Sequence, residues 1–200
     1  MKIVLARHGQ TTANREGFIM GRTDAPLTRQ GIETVKNMSR IIGPESVQRI
    51  ISSSLGRAAL TAATHSHCLR VPLSFRESMG ELSCGSWEGR HRADVITGSG
   101  PIRSTWQFRP PGGESYQDGE TRVASLIEEI LGETDGKTVL VVGHASVNRV
   151  LIKLILGLDP LEAMTIRSPH DTVYVIEPGR DVRYVSGSGL SGCGFLRESE

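Results

Sequence analysis

Apolar positions along the chain alternate between short continuous runs and helical spacing. Residues 2–6, KIVLA, form a short apolar run with β-branched members and predict a buried strand. Residues 7–27 are polar and Gly-containing and read as a loop. Thr28 is placed to cap a helix running to about Ile42, with Ile32, Val35, Met38 and Ile42 at helical spacing and Gly43-Pro44 as its stop. RIIS at 49–52 predicts a second strand, and SSLGRAALTAATHSHCL a turn and an Ala-rich helix. VPLSF at 71–75 predicts a short edge strand, because Pro72 has no N–H to give a central ladder. Helical spacing returns over 120–131 through Val123, Leu126, Ile127 and Ile130. TVLVV at 138–142 is the clearest buried strand. SVNRVLIKLILGL then predicts a helix with Val147, Val150, Leu151 and Leu154 inward. TVYVIE and VRYVS read as a closing hairpin around Pro178-Gly179.

Two stretches break the pattern. Residues 83–119 are rich in Gly, Ser, Pro and Arg without apolar periodicity, and read as an irregular lid anchored by Trp87, Trp106 and Phe108. Residues 187–200 are Gly/Ser-rich and read as a flexible tail after a single domain at 1–186. The alternation of strands and helices predicts an α/β fold, a mainly parallel central sheet flanked by helices in three layers. Such sheets hold ligands beyond the carboxyl ends of their strands.

The chain has 200 residues, enough for one domain with a sizeable core. Its net charge of +1 gives no basic excess to announce nucleic acid, so any cationic site must be local. The three cysteines, Cys68, Cys84 and Cys193, are odd in number and widely spaced, which points to a reducing, cytoplasmic compartment. The apolar run at the N-terminus is too short for a signal peptide, and no stretch approaches the roughly 18 apolar residues of a membrane span. No membrane partner is expected, and the oligomeric state is open.

Candidate chemistry gathers at the predicted strand ends. Arg7-His8-Gly9 follows the first strand directly, and Gly143-His144-Ala145 follows TVLVV. Ser53-Ser54-Leu55-Gly56-Arg57 follows the second strand and brings another arginine. If these strands are parallel neighbours, two imidazoles and two guanidiniums share one edge of the sheet. Guanidinium forks bind phosphate oxygens bidentately, and a neutral imidazole nitrogen is a competent nucleophile toward phosphorus. Arg7 and Arg57 nearby disfavour the protonated imidazole. Glu81, at the start of the lid, is placed to protonate a leaving group.

These positions resemble the histidine phosphatase superfamily, which includes the cofactor-dependent phosphoglycerate mutases. RHGQTTAN at 7–14, MGRTDAPLT at 20–28, SSSLGRAALTA at 52–62, ELSCGSWEG at 81–89, PPGGES at 110–115 and VVGHAS at 141–146 are similar to the family's segments and stand in its order. The resemblance implies a phosphoglycerate mutase-like fold and a phosphohistidine at His8. It implies that Arg7, Arg57 and His144 hold the phosphoryl oxygens, and that Glu81 serves as acid and then as base. It also implies that Asn14 contacts phosphate through its amide, with Gln10, Gly21 and Ala145 close by. Leu60 and Ala145 depart from the family, standing where many members carry Gln and Gly. Neither removes a charge.

Other residues read more plainly. Glu77 is a turn residue, Glu88 a lid support, and Asn14 has the alternative of capping a turn. His65 and His67 share no helix face for a metal, and no metal or cofactor is expected. His170, in SPHDT near the last strands, reads as a surface-loop residue, with approach to the pocket as its alternative. The roles of Arg90, His91, Arg103 and Arg109 in the lid are open. The expected activity is hydrolysis of small phosphate monoesters. A mutase is the alternative, and a non-catalytic phosphate-binding module a more distant one. The stretch from Trp87 to Pro111 lacks the Lys and Tyr of the mutase lids, and WEG at 87–89 resembles the phosphatase branch.

Overall fold

The computed structural model describes residues 1–96, 102–132, 136–179 and 181–197. A seven-stranded sheet contains β1 (Lys2–Arg7), β2 (Arg49–Ser53), β3 (Leu73–Arg76), β4 (Thr138–Gly143), β5 (Thr172–Glu177), β6 (Asp181–Ser186) and β7 (Ser191–Cys193), in the order β3-β2-β4-β1-β5-β6-β7. The first four strands in that order run parallel. β5, β6 and β7 continue the sheet antiparallel. The helices are α1 (Thr12–Glu16), α2 (Arg29–Ile42), α3 (Gly56–Leu69), α4 (Tyr116–Leu131), α5 (Ala145–Leu156) and α6 (Pro160–Met164).

Period-two alternation divides the strand residues between two cores. Val4, Ala6, Leu140, Val142, Val173 and Val175 meet α2 and α3 through Met38, Ile42, Ala58 and Ala62. Ile3, Leu5, Val139, Val141, Tyr174 and Ile176 meet α4 and α5 through Val123, Leu126, Val147 and Leu151. Because both faces are covered, β1 and β4 read as unbroken apolar runs. The three layers, the edge position of β3 and the β5–β6 hairpin agree with the sequence pattern.

Short capped elements are where it falls short. The polar stretch 7–27 contains α1, opened by a capping box between Thr11 and Asn14 and closed by Gly17 at φ 79°. α6 is opened by Asp159 with Pro160 in its first turn. The lid ends earlier than residue 119: Ser115 and Asp118 form a capping box that starts α4 at Tyr116. The 187–200 tail, expected to be flexible, carries β7, which pairs with β6, and Phe195, which packs edge-on against Tyr174. Positions 198–200 of that tail, like 97–101 of the lid, lie outside the described residues. Among the described residues no helix is long and apolar enough to cross a membrane.

Leu140 is fully buried at the centre of the sheet. Leu140→Ala is expected to lower stability by about 2–5 kcal/mol, read as a lower urea midpoint at unchanged slope. A loss below about 1 kcal/mol would contradict this packing.

Candidate active site

Strand register places the chemistry. Arg7 of β1 is opposite Gly143 of β4, and the His8 N–H donates to the Gly143 carbonyl at 3.0 Å. His8 and His144 therefore leave adjacent strands side by side, with ring centroids 5.1 Å apart. β2, on the far side of β4, leads into α3 and delivers Arg57 in its first turn. Glu81 follows β3 and a single 3-10 turn. Its carboxylate accepts the N–H groups of Leu82 (2.9 Å), Ser146 (3.2 Å) and Val147 (3.3 Å), the last two in the first turn of α5. Negative charge is favoured at such a helix start. Arg7, His8, Arg57 and Glu81 line one cavity of about 320 Å³, together with Asn14 and Ala145.

The hydrogen bonds fix the imidazole. His8 Nδ1 lies 2.8 Å from the Gly9 carbonyl, an acceptor only, so Nδ1 carries the proton and Nε2 keeps its lone pair. Burial holds the His8 pKa well below 6.5, aided by His144, Arg7, His170 and Arg57. The His144 pKa is also held well below 6.5, by burial and then by Arg57 and Arg7. His144 Nε2 lies 2.9 Å from Ser53 Oγ, while its Nδ1 is buried with no hydrogen-bond partner among the described residues. Arg7 donates to the Ser168 carbonyl at 3.0 Å. Burial lowers its pKa to about 10, against the pull of Glu81, and leaves it charged at neutral pH. Arg57 donates to the Thr23 carbonyl (2.7 Å), Asp24 Oδ1 (3.0 Å) and the Gly21 carbonyl (2.8 Å).

A carboxylate clamp holds the Arg57 loop to the Glu81 segment. Glu88 accepts from the N–H groups of Arg22 (3.0 Å), Thr23 (2.8 Å) and Cys84 (3.0 Å), and from Ser83 Oγ (3.2 Å). A Cβ on Gly21 would lie 2.3 Å from Glu88 Oε1 and 2.7 Å from the Cys84 nitrogen, so only glycine fits there. Arg103 is almost wholly buried. It donates to the carbonyls of Glu114 (2.7 Å) and Ser83 (2.8 Å) while lining the cavity.

Of the residues implied by resemblance, Ala145 lines the cavity. Asn14 does two things: its Oδ1 closes the α1 capping box at 3.1 Å, and the residue also lines the cavity. Gln10 is not among the lining residues; its Oε1 accepts from Thr28 Oγ1 at 3.0 Å, at the head of α2. Gly21 also lies outside the lining and reaches the site through its carbonyl on Arg57. His65 turns into the core against Ser39 Oγ (2.8 Å) while Cys68 is exposed, which separates the potential metal ligands. Arg109 pairs with Asp118 at the surface, and His91 packs edge-on against Phe18.

Two kinds of residue were missed or ranked wrongly. Arg92, Tyr116 and Arg149 line the cavity, yet in sequence they are unremarkable lid and helix positions. His170, for which the sequence favours a surface loop over approach to the pocket, is half-buried beside the nucleophile, its ring centroid 5.3 Å from that of His8. The available signal was position: His170 stands two residues before the antiparallel strand β5, whose start adjoins the end of β1.

Burial alone would raise the Glu88 carboxyl, but hydrogen bonds from Thr23, Arg22 and Cys84 outweigh it and hold the pKa at about 2 against an ordinary 4.5. A depressed carboxyl stabilises the fold above its unfolded pKa, and that stability is lost as pH falls toward the folded value. Urea midpoints of wild type and Glu88→Gln are therefore expected to differ most above about pH 5 and to converge as pH falls toward 2. A gap independent of pH would contradict the clamp.

Comparison with known proteins gives the family and the fold. The family model described as histidine phosphatase superfamily (branch 1) matches residues 3–188. The adenosylcobalamin/alpha-ribazole phosphatase of Escherichia coli is 31% identical over 169 residues, covering 82% of this chain and 83% of that one. The probable phosphoglycerate mutase GpmB of Shigella boydii is 31% identical over 193 residues, covering 94% and 89%. The crystal structure of the alpha-ribazole phosphatase from Shigella flexneri superposes with a TM-score of 0.77 at 25% identity, covering 99% of this chain and 96% of that one. With its strand ends, its paired histidines and this breadth of match, the chain belongs to the histidine phosphatase superfamily, branch 1.

Proposed function

We propose that the protein hydrolyses small phosphate monoesters in two steps through a phosphohistidine at His8. The observation that carries this reading is a neutral, buried imidazole with a fixed tautomer, standing in one cavity with Arg7, Arg57 and Glu81 and packed against His144. In the first step the His8 Nε2 lone pair forms a bond to phosphorus as the ester P–O bond breaks. Glu81, which takes up a proton as the negative charge of the phosphoryl group comes beside it, gives that proton to the departing oxygen. In the second step the Glu81 carboxylate takes a proton from water, the water oxygen bonds to phosphorus, and the N–P bond breaks. Arg7, Arg57 and His144 stabilise charge on the equatorial oxygens, and Asn14 adds an amide contact. Guanidiniums fixed by the Ser168, Thr23 and Gly21 carbonyls supply the positive charge, so the scheme needs no metal.

The relatives' names suggest which esters to test first: a ribazole-type nucleotide phosphate and a phosphoglycerate. A cavity of about 320 Å³ suits molecules of that order. The three unpaired cysteines fit a reducing cytoplasm. The alternative is a mutase that returns the phosphoryl group to a second hydroxyl. The mutase-named relative supports it. The lid between Trp87 and Pro111, without Lys or Tyr to retain an intermediate, favours release to water.

His8→Ala is expected to lower turnover by about 10³-fold or more. Glu81→Gln is expected to cost about 10²–10⁴-fold on alkyl phosphates and less on p-nitrophenyl phosphate, whose leaving group needs little protonation. Phosphate release is to be measured beside isomerised product from a phosphoglycerate. Full turnover by His8→Ala would overturn the scheme, and release no faster than isomerisation would favour the mutase.

A further inference from the structure

The nucleophile is bracketed by two imidazoles. β1 lies between β4 and β5, and each neighbour contributes one: His144 from the end of β4, and His170 from just before the start of β5. The two rings sit 5.1 Å and 5.3 Å from His8, tilted by 56° and 57°.

His170 Nδ1 lies 2.7 Å from the His8 carbonyl oxygen, so it is the donor, and its ring is held neutral by burial. That carbonyl belongs to the same peptide unit as the Gly9 N–H, which donates to Thr61 Oγ1 at 2.9 Å. The 8–9 peptide plane is therefore gripped on one edge by His170 and on the other by Thr61. Its orientation matters because the next carbonyl, that of Gly9, receives the His8 Nδ1–H at 2.8 Å and so sets the turn of the imidazole ring. The same segment also takes the Arg7 guanidinium on the Ser168 carbonyl at 3.0 Å. Thr61 is itself locked by donating to the Arg57 carbonyl at 2.8 Å.

We propose that His170 is a positioning residue: by clamping the 8–9 peptide plane and packing on the His8 ring, it keeps Nε2 in line with the phosphoryl group. This rests on the function proposed above, since it concerns the same nucleophile. His170 is not among the residues that line the cavity. Its loss lets the peptide plane rotate, and the Nε2 lone pair swings off line while the arginines that bind phosphate stay in place. Misplacement of reacting groups by about 1 Å costs on the order of 10²-fold in rate.

Two variants separate positioning from mere support. His170→Phe keeps the ring and removes the donor. His170→Asn restores a donor, because its amide nitrogen stands about as far along the side chain as imidazole Nδ1. Rapid-quench formation of phosphohistidine from p-nitrophenyl phosphate, steady-state kcat and KM, and melting temperature are measured for both. His170→Phe is expected to slow phosphorylation of His8 by about 10- to 100-fold with KM changed less than about threefold. His170→Asn is expected to return to within about threefold of wild type, with both variants melting close to it. Phosphorylation by His170→Phe at the wild-type rate would overturn the inference. So would a loss confined to KM, a His170→Asn variant as slow as His170→Phe, or losses that simply track a fall in melting temperature in both. A wild-type protein that hydrolyses esters but forms no phosphohistidine would contradict the proposed function first, and this inference with it.

Discussion

The backbone bond from the His8 N–H to the Gly143 carbonyl ties β1 to β4 at the point where both strands end. It extends a register in which six consecutive residues pair, Lys2 with Thr138 through Arg7 with Gly143. Side-chain direction in a strand has a period of two, so a slip of one residue would send His8 to the other face and exchange the two cores. Burial prevents that slip. Val4 and Ala6 face the α2–α3 core, while Ile3 and Leu5 face the α4–α5 core, and all four are nearly inaccessible. The hydrophobic pattern that builds the sheet thus also sets the distance between two imidazoles.

Within that frame the site is held largely by backbone. Carbonyls of Ser168, Gly21 and Thr23 fix the two arginines, the Gly9 carbonyl fixes the tautomer of His8, and α5 amides fix Glu81. Groups that cannot relax cost little reorganisation when charge develops, which is how buried dipoles and cations lower a barrier. Burial first, and the arginines crowded alongside second, raise the energy of any added proton, so the imidazoles are driven to the neutral form that a nucleophile requires. Glu88 and Asp24 carry the balancing negative charge outside the reacting zone. They support the Arg57 loop instead of competing with phosphate.

Much of this was legible in the chain. Apolar runs at 2–6 and 138–142 gave the central strands, and a histidine directly after each pointed to the shared edge, because parallel strands present their carboxyl ends together. Arg57 was legible for the same reason. His170 was legible only as the lesser of two readings, because that rule concerns parallel strands. β5 runs antiparallel to β1 and presents its beginning to the site. Gln10 matched a family segment, yet its side chain turns to Thr28, since identity at a position does not fix direction. α1 and α6 are too short to show a hydrophobic period and are marked only by their caps. Arg103 reaches the cavity through lid folding that has no periodic signature, and Tyr116 from the first turn of α4, just past the lid.

The chemistry of the site turns on which atom phosphorus reaches first. The decisive measurement is peptide mapping of enzyme quenched in base within milliseconds of mixing with a ³²P-labelled monoester, with the phosphorylated nitrogen identified by NMR. A base-stable, acid-labile phosphoryl group is expected on Nε2 of His8 and on no other residue. Label on His144 or His170, or on a carboxylate, would contradict it.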